Sequence, residues 1–171
     1  MSRPLKQGLD YFPMDVEVDD KIELIEAKHG IAGFGMLIKM FQKIYKEGYY
    51  LNWNEETQLL FARRINVDNN SVSAIINDCF RYHIFNEELY EKHHILTSTG
   101  IQKRYLNATN RRKELFLHKK YVIVDVNKIN VPINWINDNG STQSKVKYSI
   151  VKKSRVKESK EKEENTDFSL S

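Results

Sequence analysis

The stretch from Asp19 to Trp53, DDKIELIEAKHGIAGFGMLIKMFQKIYKEGYYLNW, reads as a short capped helix, a glycine break, a longer amphipathic helix and an abrupt aromatic strand. Asp20 followed three residues later by Glu23 has capping-box form, the aspartate accepting from first-turn amides and the glutamate reaching back, so a helix is expected to start there. Gly30 would end it as the residue just beyond the last turn. From Ile31 onward, Phe34, Leu37, Ile38, Phe41, Ile44, Tyr45 and Gly48 recur at steps of three and four and place one apolar stripe on one helical face. Lys39, Lys43, Lys46 and Glu47 occupy the other face. Gly33 and Gly35 each weaken a helix by roughly 1 kcal/mol relative to alanine, so another backbone is expected to approach them, and residues 19–29 are the expected neighbour.

Working outward, Tyr49 to Trp53 is too short for a helix and reads as a strand, after which Asn54 caps a helix to about Asn66. Leu60, Phe61 and Ile65 are its expected inner residues, with Arg63 and Arg64 near its C-terminal end. Past the turn at Asp68, Asn69 and Asn70, the positions Val72, Ile75, Ile76, Cys79 and Phe80 define a second amphipathic helix. Two helices joined by a tight polar turn form a helix-turn-helix candidate, with Ser73, Asn77, Asp78 and Arg81 on the expected exposed face of the second. Ile84 and Phe85 read as a short strand, Asn86 as the cap of a helical turn from Glu87 to Lys92, and His94 to Thr97 as another strand. That order of elements is the winged-helix order.

Thr99 and Gln102 suggest a further capping box for a helix over about Gly100 to Leu117, with Ile101, Tyr105 and Ala108 inward. Its outer surface would be basic, because Lys103, Arg104, Arg111, Arg112, Lys113, Lys119 and Lys120 face only Glu114 between residues 97 and 120. Arg104 and Arg111, seven apart, would share one face of that helix. YVIVDV at 121–126 is a β-branched run expected to add a strand. The sequence from Asn127 turns asparagine-rich, then gives four degenerate pentapeptides starting at Ser144, Ser149, Ser154 and Ser159. A period of five cannot present a constant apolar face, so that tail is expected to be disordered. The expected division is a domain over residues 1–126 and a linker with tail over 127–171. At the other end, Pro4, Gly8 and Pro13 break any helix in the opening, whose Leu9, Tyr11, Phe12 and Met14 are expected to pack onto the helix hairpin.

Composition narrows the chemistry. The net charge of +4 combines an acidic half, 11 Lys/Arg against 15 Asp/Glu in residues 1–96, with a basic one, 16 against 8 in residues 97–171, so any polyanion contact is expected late in the chain. Cys79 is the only cysteine, which excludes a disulfide within one chain and fits a reducing, cytoplasmic setting. No long apolar run marks a leader or a membrane span. Phosphate loops, GxSxG elbows and HExxH helices are all missing from the sequence, so neither an enzyme nor a cofactor is expected. The adjacent His93 and His94, and the acidic group Asp15, Glu17, Asp19 and Asp20, are weak metal candidates, since capping and helix-dipole effects alone place aspartates at a helix start.

The segments RPLKQGLDYFPMDV at 3–16, DDKIELIEAKHG at 19–30, LLFARR at 59–64 and ILTSTGIQKRY at 95–105 closely resemble an N-terminal domain family of phage and mobile-element proteins. In organisation that family is similar to the N-terminal winged helix of DnaD-type primosomal replication proteins. The resemblance covers about residues 3–116. It implies a winged-helix replication or helicase-loading protein that has no catalytic residues, with a replicative helicase or another primosomal protein as a potential partner.

The expected fold is therefore mainly α with a small β component, a winged helix-turn-helix with extra N- and C-terminal helices and a disordered basic tail. The expected function is sequence-tolerant binding of single- or double-stranded DNA through Arg63, Arg64, Asn77, Arg81, Lys103, Arg104, Arg111, Arg112 and Lys113. Two rivals stand beside it. A sequence-specific regulator would read bases with Asn77 and Arg81, and a protein adaptor or homo-oligomer would use its aromatic surface.

Overall fold

A computed structural model describes residues 6–138, in which five helices and two small two-stranded sheets enclose one hydrophobic cluster. Helix α1, Asp20–Glu47, starts at Asp19, whose side chain accepts from the Lys21 amide, so the cap is one residue earlier than the capping-box pattern indicated. At Gly30 the backbone leaves the helical region, with φ 70° and ψ −172°, before the helix resumes. That conformation is closed to side chains with a Cβ, and it turns the first segment so that the chain folds against itself. A Cβ on Gly33 would lie 2.5 Å from the Cβ of His29, so the expected close approach is made there, whereas Gly35 faces open space.

The inward stripe of α1 includes Leu37, Phe41, Ile44 and Tyr45 as the spacing requires, and adds Met36 and Met40. Strand β1, Leu51–Asn52, follows, then α2, Glu55–Ile65, capped by Asn54 and closed by Asn66 in the left-handed conformation. Phe61 is buried and Ile65 partly buried as expected, whereas Leu60 is 55% exposed and Ala62 is buried in its place. Residues 66–68 turn the chain into α3, Asn69–Arg81, capped by Asp68, whose Val72, Ile75, Ile76, Cys79 and Phe80 are all buried. Helix α3 packs against both α1 and α2.

From this point the structure departs from the expected order. Ile84 and Phe85 form a buried turn whose amides donate to the Cys79 carbonyl, not a strand. Helix α4, Glu87–His93, is capped by Asn86, and β2, Ile95–Leu96, pairs antiparallel with β1, so of the two strands expected at 84–85 and 94–97 only the second forms. Helix α5, Thr99–Ala108, is capped by Ser98 and ends nine residues before Leu117. The Thr109 hydroxyl there turns back to donate to the Tyr105 carbonyl at 2.8 Å. The next segment with regular structure is β3, Leu115–His118, whose alternate side chains Leu115 and Leu117 are each 1% exposed.

Strand β3 pairs in parallel with β4, Ile133–Ile136, matching Leu115 to Ile133 and His118 to Ile136. Parallel neighbours need a crossover of about a dozen residues or more, and residues 119–132 supply it without a helix. The run YVIVDV lies inside this crossover. Its backbone bonds to a side chain, since buried Gln102 donates to the Tyr121 carbonyl at 2.7 Å and accepts from the Ile123 amide at 2.9 Å. Gln102 is thus a core polar group and not a capping residue. Val131 and Ile133 belong to the main cluster, so the boundary expected at residue 126 falls inside the fold. The pentapeptide tail lies outside the described residues.

Candidate nucleic-acid interface

The arm before α1 determines where several cations end up. Leu9 donates to the Tyr45 carbonyl at 2.7 Å, and a Cβ on Gly8 would fall 1.7 Å from the Lys46 carbonyl oxygen, so only glycine lets the arm lie this close to the end of α1. Arg112 donates to the carbonyls of Lys6, Gln7 and Gly8 at 2.5, 2.9 and 2.6 Å. Tyr105 adds a hydroxyl bond to Gln7 at 2.8 Å, and burial pushes its phenol up to about 12. Arg112 is therefore an arm clamp that commits three of its five donors to the backbone of the arm.

The basic helix expected to carry Arg104 and Arg111 on one face does not exist, because α5 ends at Ala108. Lys103 is exposed on α5, while Arg104 is half-buried and lies 3.8 Å from Asp15. Arg111 and Lys113 are exposed on the turn after α5, around a hollow of about 320 Å³ shared with Lys6 and Arg112. Arg63 and Arg64 are exposed in the last turn of α2, where cations also favour the negative end of the helix dipole. Asn77 and Arg81 are exposed on α3.

Asp78, expected beside them, is buried instead. It accepts from Lys28 at 2.7 Å and lies 2.6 Å from His29, joining the first segment of α1 to α3. Desolvation raises its pKa, but the bonds from Lys28 and His29 outweigh that and hold it below the usual carboxylate value. Burial pushes the Cys79 thiol up to about 12, which leaves it without thiolate character near neutrality. His93 lies against Tyr121 with the rings tilted and their centroids 5.2 Å apart, and among the described residues no group of three or more His, Cys, Asp or Glu could share a metal ion.

Sequence reasoning missed one constellation. Lys39, Lys43 and Lys46 of α1 and Arg64 of α2 surround an open cleft of about 1000 Å³ with an apolar floor that includes Met36, Phe61 and Ile65. The signal was the spacing of the three lysines, which alone reads as an ordinary solvated face. Across that face the neighbouring helix leaves a concavity that the sequence does not show.

The fold and its exposed cations define a mainly helical α+β protein with basic surfaces. Residues 11–101 match the family model described as Lin1244/Lin1753-like, N-terminal, and the chain belongs to that family. It is similar to the phage-related protein Lin1244/Lin1753 of Listeria innocua, with 48% identity over 127 residues, covering 73% of this chain and 42% of that protein. The chain thus spans about two fifths of the length of that relative. No solved structure matches. Among the described residues no helix is long and apolar enough to cross a membrane.

Proposed function

We propose that the chain is a non-catalytic DNA-binding module of a phage-related protein, of winged helix-turn-helix kind, serving replication as DnaD-type proteins do. The observation that carries this reading is the α2–α3 pair. Its short turn and buried apolar face leave Arg63, Asn77 and Arg81 exposed, and neither arginine is in a salt bridge among the described residues. A second helix held in this way is the element that such motifs present to the duplex. The antiparallel ribbon of β1 with β2 beside the α2–α3 pair supports the winged-helix comparison, although the order is helix, strand, helix, helix, helix, strand, with α4 added before β2. The phage-related relative supports the setting.

Phosphate contacts dominate this reading. Arg63, Arg81, Lys103, Arg111 and Lys113 are exposed donors that serve any base sequence, whereas Arg112 and Arg104 are engaged within the fold. Anisotropy titrations of labelled duplex and single-stranded DNA with the full chain, from low to physiological salt, test it. Arg63→Ala with Arg81→Ala should weaken binding to all sequences about equally and lower the salt slope by roughly 2. Asn77→Ala should change little. Lack of binding at low salt, or an unchanged slope in the double variant, would remove the module from DNA altogether or from this surface.

A further inference from the structure

The cleft between α1 and α2 combines two properties that DNA does not match together. Its floor is apolar, with Met36 and Phe61 at 3% and 4% exposure and Ile65 partly buried, while Lys39, Lys43, Lys46 and Arg64 stand around it. The one carboxylate on its rim, Glu47, is 3.4 Å from Lys43 and lies at the end of α1. Gly35 opens the floor further, because a Cβ there would meet nothing within 4 Å, so an incoming chain can approach the α1 backbone. Two exposed apolar side chains, Ile31 at 71% and Leu60 at 55%, stand one helical turn before Gly35 and Arg64 respectively.

The geometry points to a docking groove for an acidic amphipathic helix supplied by a partner protein. Such a helix would lay its apolar stripe on Met36, Phe61 and Ile65 and set its carboxylates against the lysines on α1 and Arg64 on α2. Burial of the stripe supplies affinity, and the cationic rim selects for acidic helices and against basic ones. A phosphate backbone would satisfy the rim and leave the apolar floor without a counterpart. The groove is separate from Arg63, Asn77 and Arg81, so this inference does not depend on the DNA reading.

The test uses the full chain, labelled with nitrogen-15, and a synthetic peptide of about 16 residues with leucines at i, i+3, i+4 and i+7 and glutamates at most other positions. A scrambled peptide of the same composition is the control. Saturable shifts confined to residues around Gly35, Lys39, Arg64 and Ile65 are expected with the first peptide alone. Lys39→Glu with Lys43→Glu should weaken binding at least about tenfold. Gly35→Leu should do the same by filling the groove, with no loss of thermal stability, because space is open there and leucine favours helix over glycine. Neither variant should alter duplex binding. Equal binding by the scrambled peptide, unweakened binding by Gly35→Leu, loss of duplex binding in that variant, or self-association of the parent abolished by Lys39→Glu with Lys43→Glu would each overturn the assignment, the last two in favour of DNA and a second copy of the chain.

Discussion

At the scale of residues, buried Asp78, held by exposed Lys28 and partly buried His29, shows how a polar side chain can be read on the wrong face. Asp78 follows Asn77 and precedes Cys79, and its spacing alone fits an exposed surface. The kink at Gly30 is what swings Lys28 and His29 over it. Because the folded carboxyl pKa lies below its ordinary 3.8, the ionised group adds stability that is complete above the unfolded value and is lost as pH falls through the folded one. Asp78→Asn should therefore lower stability at neutral pH by about 2 kcal/mol. Urea titrations should show that difference narrowing below about pH 4, and a constant difference across that range would separate Asp78 from the acid response.

Two glycines of α1 have opposite roles at the scale of the element. Gly30 has room for a Cβ but sits at φ 70°, so Gly30→Ala meets no neighbour and still strains the backbone. It should cost about 1–3 kcal/mol. Gly35 is within regular helix and faces open space, so Gly35→Ala should stabilise the protein by about 0.5–1 kcal/mol. Thermal unfolding of the two variants measures both signs. A stabilising Gly30→Ala would mean that the helix runs straight through residue 30.

For the molecule as a whole, the parallel pair β3–β4 closes the core on the side of α5. Leu115 and Leu117 are almost wholly buried, and Val131 and Ile133 pack in the same cluster. A chain ending at residue 126 would lose β4 and uncover that surface. It should unfold at lower urea with reduced cooperativity, or fail to fold. Circular dichroism through a urea titration reads this directly, and an unchanged midpoint and slope would show that the pair is dispensable.

Local sequence alone placed α1, α2, α3 and α4, the caps Asn54 and Asn86, the break at Gly30 and the buried face of α3, because capping side chains and the 3.6-residue period act within a few neighbouring residues. It also identified Arg63, Asn77 and Arg81 as exposed. The tertiary structure decided the remainder. The sequence RRKELFLHK favours a helix by propensity, yet LFLH becomes a strand because its partner INWI lies 18 residues away in register. YVIVDV favours a strand, yet its backbone bonds to Gln102 from another element. The same holds for the charged groups. Arg112 becomes a clamp only because the arm crosses it, and Lys39, Lys43 and Lys46 enclose a cleft only because α2 stands opposite, so neither role is encoded in the residues nearby.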